Sequence, residues 1–127
     1  MEAEIPVRKD AENELPVPTV WREVIREIVL SFVNGDYRLS SGISGVTDIT
    51  KETSEQIESN IRDYGEELVP LPDESWESSI YLWMGTHWQV IVDLWTAGEG
   101  RSDMVLSAHV NEREDRFIYS IYMVQVP

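Results

Sequence analysis

The sequence predicts an α+β domain in which two N-terminal helices pack on one face of a four-stranded antiparallel β-meander. Apolar residues repeat at helical spacing in the first half of the chain, and the period changes to two from Ser78 onward. Pairing the strands about three turn signals places apolar side chains on one shared face. A hydrophobic content of 42% over 127 residues is enough for one packed core.

Residues 1–17 contain prolines and mixed charges, which predicts a flexible or extended N-terminal arm before one domain at residues 18–127. A first helix is expected to begin with Thr19 as its N-cap and to end at Asn34–Gly35. Its apolar residues form one wide stripe, made of Val20, Trp21, Val24, Ile25, Ile28, Val29, Phe32 and Val33.

The glycine, serine and threonine content of residues 36–50 predicts a loop or short irregular strand whose apolar side chains point inward. A second helix is expected to begin near Thr50 or Thr53, where Thr53 opens a capping-box pattern, and to end at Gly65. It has a narrow apolar stripe of Ile57, Ile61 and Tyr64. An acidic loop with prolines follows at residues 66–76.

Turns at Gly85–Thr86, at Glu99 and between Arg113 and Glu114 set the expected register of the sheet. The first turn pairs Trp83 with Trp88, Tyr81 with Val90 and Ser79 with Val92. The second turn pairs Leu94 with Met104, Val92 with Leu106, Val90 with Ala108 and Trp88 with Val110. The third turn pairs Val110 with Phe117, Ala108 with Tyr119, Leu106 with Ile121 and Met104 with Met123. One apolar face then runs across all four strands.

The opposite face is mixed in character and is expected to carry Ile80, Leu82, His87, Gln89, Ile91, Asp93, Trp95, Asp103, Val105, Ser107, His109, Ile118, Tyr122 and Val124. The arm or the 66–76 loop could cover this face, a second copy could bind it as a homodimer, or it could receive a ligand. The candidate pocket for a small molecule or a reaction consists of His87, Asp93, Trp95, Asp103, His109 and Tyr122.

Each of these residues can have a structural role as well as a functional one. His87 and His109 lie near each other in the register, but two histidines without a spaced carboxylate predict no metal site. Asp93 and Asp103 could act as an acid–base pair, or Arg101 could pair with either of them and brace the loop. Three of the five tryptophans fall on core faces, which leaves Trp76 and Trp95 as the exposed ones.

Several classes of function are disfavoured. The chain has no cysteine, which rules out disulfides and thiol chemistry, and it has no phosphate-binding loop or nucleophile elbow. We therefore expect no cofactor and no enzymatic activity. No apolar run approaches the roughly 20 residues of a membrane span. The acidic N-terminus also lacks the features of a signal peptide, so a cytoplasmic protein is expected.

Negative charge is concentrated in one part of the chain. The net charge is −14, and residues 48–77 hold 10 acids against 2 bases. This sign disfavours nucleic-acid binding, because phosphate contacts need lysine and arginine. An acidic surface can serve solubility alone, or it can steer a basic partner. The partner-binding candidates are Glu52, Glu55, Glu58, Asp63, Glu66, Glu67, Asp73, Glu74 and Glu77.

Two resemblances bear on the fold and the function. Helices followed by a meander make the order of elements similar to cystatin-like and NTF2-like domains. The segment Trp88-x-Val-x-Val-Asp-Leu-Trp-Thr96, followed by Glu99-Gly-Arg-Ser-Asp-Met-Val-Leu106, resembles small bacterial proteins related to immunity proteins of polymorphic toxin and contact-dependent inhibition systems. That resemblance implies a non-enzymatic protein whose acidic surface neutralises a basic toxin domain, such as a nuclease. The alternative is an NTF2-like domain that binds or converts a small molecule on its mixed sheet face.

Overall fold

The computed structural model of this protein describes residues 4–127. In chain order the elements are β1 (Leu15–Pro16), α1 (Thr19–Val33), α2 (Lys51–Tyr64), a short 3-10 helix (Asp73–Glu77), β2 (Ile80–Trp83), β3 (Trp88–Thr96), β4 (Gly100–Arg113) and β5 (Arg116–Gln125). The five strands pair in sequence order, and every pair is antiparallel. The α+β class is confirmed, with five strands rather than four, because Leu15–Pro16 pairs with β2.

Helix α1 buries the stripe that its sequence predicts. Trp21, Ile25, Ile28, Val29 and Phe32 are all at most 2% exposed. The expected N-cap is wrong by one residue, because the helix already begins at Thr19 and Pro18 takes the cap position. The Thr19 hydroxyl instead accepts a hydrogen bond from the backbone N–H of Ile5, at 2.7 Å.

Helix α2 begins after Thr50, whose hydroxyl accepts the N–H of Thr53 at 3.1 Å. Of the two expected starting points, Thr50 is therefore the cap, and Thr53 lies in the first turn. The helix ends at Gly65, which takes the left-handed conformation with φ 83°. Ile57 and Ile61 face the core, so the charged residues of this helix point outward.

The two helices pack on the face of the sheet that carries the alternating buried residues. Trp21 lies at the centre of this packing, with its ring edge-to-face against Tyr81, Trp88 and Phe117 at centroid distances of 5.2, 5.3 and 5.6 Å. Strand β3 alternates between buried and half-buried residues along its whole length. The other face of β3 is therefore only partly covered.

The sequence predicts a flexible or extended arm at residues 1–17, and its described part, residues 4–17, crosses the end of the core face. The indole N–H of Trp88 donates to the carbonyl of Arg8 at 2.9 Å, and the N–H of Arg8 donates to the Tyr81 hydroxyl at 2.7 Å. The Lys9 ammonium lies 5.1 Å from the ring centroid of Trp83. These contacts close the core beside the β2–β3 turn.

The segment between α1 and α2 packs inward, as the sequence predicts. Leu39 and Ile49 are buried, and the ring of Tyr37 stacks on Phe32 at a centroid distance of 5.9 Å. The Asp36 carboxylate accepts the N–H and the hydroxyl of Ser40, and these bonds hold the pKa of Asp36 below its usual value.

The predicted register of β2, β3 and β4 is largely confirmed. Five predicted pairs are present: Trp83 with Trp88, Tyr81 with Val90, Trp88 with Val110, Val90 with Ala108 and Val92 with Leu106. Ser79 lies before β2, so its predicted pairing with Val92 is absent. A register shift between Asp93 and Trp95 removes the predicted pairing of Leu94 with Met104.

The predicted register between β4 and β5 is wrong by two residues. Val110 pairs with Tyr119 rather than Phe117, because Glu114 and Asp115 form the turn, with φ angles of 49° and 27°. A second register shift, between Ser107 and Ala108, places Val124 opposite Leu106. Val124 is fully buried in the core, so its assignment to the mixed face is corrected.

Candidate functional site

The first group of predicted acids lies on the exposed side of α2. Glu52, Glu55, Glu58 and Asp63 are all exposed, because the helix turns Ile57 and Ile61 toward the sheet. Lys51 and Arg62 are the basic residues of this helix. Helix α2 therefore presents a negative outer surface.

The second group, Glu66 and Glu67, lies where the chain leaves α2 and runs beside β3. The N–H of Val69 donates to the Trp95 carbonyl at 3.0 Å, and the N–H of Ala97 donates to the Glu67 carbonyl at 2.9 Å. A Cβ added to Gly98 would collide with the Glu66 carboxylate, so that side chain lies directly over the glycine. The two acids are thus held against the β3–β4 turn.

The third group, Asp73, Glu74 and Glu77, belongs to the short 3-10 helix. All three residues are exposed. Trp76 of the same helix is only 5% exposed, which corrects the prediction that it is an exposed tryptophan. The guanidinium groups of Arg22 and Arg26 lie 5.3 and 5.4 Å from its ring centroid.

Most of the nine acids form no ion pair with another described residue. Among residues 4–127, Asp73 pairs with Arg26 at 2.7 Å, and Glu55 reaches Lys51 at 4.0 Å. The other seven form no ion pair within this part of the chain: Glu52, Glu58, Asp63, Glu66, Glu67, Glu74 and Glu77. Their charge is available to an approaching cationic surface.

Three of the six alternative pocket residues form a ring cluster on the open sheet face. The rings of His87 and His109 lie 4.5 Å apart, and His109 stacks on Tyr122 at 5.7 Å. Burial, followed by the nearby His87, lowers the pKa of His109 below its usual value. The three rings thus form a contiguous aromatic patch on this face.

The other three residues lie elsewhere. Asp93 pairs with Val105 and Trp95 pairs with Arg101, near the opposite end of the strands. Val105 and His109 are four residues apart on β4, or roughly 13 Å. Trp95 lines a separate groove of about 360 Å³ with Glu74, Glu77, Ser78 and Arg101. The single pocket that the sequence suggested is therefore divided.

The carboxylates of Asp93 and Asp103 do not brace the loop through Arg101, which forms no ion pair with the described residues. Glu99 has that role instead, because its carboxylate accepts the Tyr64 hydroxyl at 2.6 Å. The Tyr64 oxygen in turn accepts the N–H of Asp103 at 3.1 Å. The bond to Glu99, offset in part by the bond to Asp103, raises the pKa of Tyr64.

Two further grooves have no counterpart in the sequence prediction. One, of about 510 Å³, separates α2 from β4 and β5 and is lined in part by Asn60, Asp63 and Met123. The other, of about 470 Å³, lies at the ends of α1 and α2 and includes Glu58, Glu66 and Glu67. Within residues 4–127 no three histidine, cysteine, aspartate or glutamate residues are grouped so that they could hold a metal ion.

The fold and its surface define a class: a small α+β domain with two helices on one sheet face and an acidic outer side. Residues 29–127 match the family described as Domain of unknown function (DUF7668), and the chain belongs to that family. No curated protein and no solved structure matches the chain. None of the helices in residues 4–127 is long and apolar enough to cross a membrane.

Proposed function

We propose that this protein is a non-enzymatic inhibitor that binds a basic toxin domain through its acidic surface, in the manner of an immunity protein. The observation that supports the proposal is a set of seven exposed carboxylates that form no ion pair within residues 4–127. They lie on α2, on the following segment and on the short 3-10 helix. The location that goes with this role is the cytoplasm, where the toxin would act.

The acids are well placed for such a role because regular structure and backbone hydrogen bonds fix most of them. Glu52, Glu55, Glu58 and Asp63 project from one helix, and Glu67 belongs to a segment that is bonded to β3. A fixed negative surface attracts a basic partner over a distance of about 10 Å at ordinary ionic strength. It therefore speeds association and excludes acidic partners.

Titration calorimetry and stopped-flow fluorescence with a purified basic toxin domain test this proposal, and the candidate domains are those encoded beside this gene. We expect binding at low ionic strength and a slower association rate as salt is added. Co-expression should also protect cells from that domain. No binding at low salt, together with no protection, would refute the inhibitor role.

A matched pair of variants separates partner recognition from general charge. Glu58→Gln with Glu74→Gln removes two unpaired acids of the surface, and Glu12→Gln with Glu114→Gln removes two exposed acids elsewhere. We expect the first pair to slow association with the toxin domain several-fold more than the second. Equal effects would mean that net charge alone acts.

The open sheet face supports a different prediction, namely self-association. On this face the rings of His87, His109 and Tyr122 pack against one another, and Tyr122 is 62% exposed. Light scattering tests this prediction, and Tyr122→Ser is the variant that should abolish a dimer formed through this face.

A further inference from the structure

The groove of about 470 Å³ between the C-terminal ends of α1 and α2 combines an apolar floor with a negative rim. Phe32 and Val33 are the last two residues of α1, and Ile61 and Arg62 lie in the last turn of α2. Both helices therefore point their carbonyl ends toward the same space. Its volume falls in the range of roughly 300–1,000 Å³ that is usual for ligand pockets.

The floor of the groove is apolar and well supported. Ile61 and Leu68 are buried to 7% and 6% exposure, and Phe32 to 1%. The ring of Tyr37 lies almost parallel to Phe32, with an angle of 21° between them. Burial, and then the charge of Glu58, raise the pKa of the Tyr37 hydroxyl. These groups offer a surface for methylene carbons rather than for a charged head.

The rim of the groove is negative. Glu58, Glu66 and Glu67 line it, and Arg62 is the one basic side chain among its lining residues. The dipole of each helix adds a partial negative charge of roughly half an elementary charge at its C-terminus. Helix α1 has no basic residue in its last turn to offset this charge. A cation is therefore favoured at the mouth, above the apolar floor.

We propose that this groove receives an arginine or lysine side chain of a basic protein partner. The methylene stem would lie on the floor, and the charged head would face the three carboxylates, which is the usual arrangement for long basic side chains. This inference rests on the proposed function, and it names the site at which the basic partner is anchored.

The test uses the full chain and a fluorescent oligo-arginine peptide, with an oligo-citrulline peptide of equal length as the uncharged control. Anisotropy gives the dissociation constants. The groove variant is Glu58→Gln with Glu66→Gln and Glu67→Gln, and the matched variant is Glu52→Gln with Glu55→Gln and Glu74→Gln. Both lose the same charge, and circular dichroism checks that both remain folded.

We expect the groove variant to weaken arginine binding by roughly tenfold more than the matched variant. Arg62→Gln should tighten binding relative to Lys51→Gln, because only Arg62 lines the groove. The ring resonances of Tyr37 should shift in the NMR spectrum when the arginine peptide is added, and the citrulline peptide should leave them unchanged.

If the two triple variants weaken arginine binding equally and the Tyr37 resonances do not shift, the groove is not the anchor. That result would leave the inhibitor role intact. Two further results would show that the groove is not the anchor: no binding of the arginine peptide to the native chain, or a dimer in light scattering that the groove variant abolishes and Tyr122→Ser does not. Arginine binding in the groove without any binding of the toxin domain would refute the inhibitor role and keep the groove.

Discussion

Asp93 contributes to this fold through its backbone, and two serine hydroxyls hold it. Its N–H donates to Ser79 Oγ at 3.0 Å, and its carbonyl accepts Ser75 Oγ–H at 2.6 Å. Both serines are at most 2% exposed. Strand β3 continues beyond the end of β2, and there the two serine hydroxyls replace the missing backbone partners of β3. They also attach the short 3-10 helix to the sheet.

Ser79→Ala should lower the free energy of unfolding by about 1–3 kcal/mol, because it leaves a backbone N–H without its partner. Ser78→Ala is the matched control, since the Ser78 hydroxyl bonds to no described residue and its loss should cost less than about 0.5 kcal/mol. Urea denaturation measures both values. Equal losses would contradict the role given to Ser79.

Tyr119 should make the protein less stable at alkaline pH. Burial raises its pKa to about 12, against about 10 in an unfolded chain. The unfolded chain therefore loses this proton first, and stability falls as pH rises from about 10 to about 12, by up to about 3 kcal/mol. Tyr119→Phe should remove that part of the loss. Urea denaturation of the native chain and of this variant between about pH 8 and pH 12 measures the difference, and equal losses in the two would contradict the role given to Tyr119.

The acidic candidates could be predicted as exposed because helical periodicity places Ile57 and Ile61 on the opposite side of α2. The burial of Trp76 could not be predicted in this way. It depends on a five-residue 3-10 helix and on two arginines from α1. Neither leaves a periodic signal within the acidic loop.

At the scale of elements, turn geometry decided which strand pairings could be predicted. Gly85 marks the first hairpin, and its register is correct. Glu114 and Asp115 form an equally tight turn without a glycine, so the β4–β5 register was placed two residues away. The two register shifts then changed which side chains reach the core, as Val124 shows.

The 470 Å³ groove could not be predicted from the sequence either, because it also depends on tertiary packing. Its floor joins Phe32 of α1, Tyr37 of an irregular segment and Leu68 of the chain after α2. No single period contains these three positions, since tertiary packing alone brings them together. Its acidic rim, in contrast, lies within the stretch that charge counting had selected.

Deletion of residues 1–9 should lower the free energy of unfolding by about 1–3 kcal/mol or more. The reason is that the Trp88 indole N–H loses its acceptor on Arg8. Tryptophan emission should shift to the red as Trp83 and Trp88 lose their cover. Removal of Val126 and Pro127, which lie outside the strands, is the control. An unchanged emission spectrum would contradict the closing role of residues 4–9.

For the whole molecule, a net charge of −14 acts against compactness. Added sodium chloride should raise the melting temperature by a few degrees as it screens the repulsion. Glu52→Gln with Glu55→Gln and Glu74→Gln should raise the melting temperature at low salt and reduce its salt dependence. Arg113→Gln, which removes an exposed positive charge, should act in the opposite direction. Thermal unfolding at two ionic strengths gives the melting temperatures of the native chain and of both variants.

The outer sides of β2 and β5 are shielded along part of their length. The β2 side is covered by two residues that include Pro16, while on β5 the N–H and carbonyl of Tyr119 bond to Gly45 and Thr47. On α2, the Asn60 amide donates to the carbonyl of Val124 at 2.9 Å. A foreign strand therefore finds few free backbone groups there, which protects the chain against edge-to-edge aggregation. A partner also cannot bind by adding a strand at these positions, so it has to recognise the side chains of the surface instead.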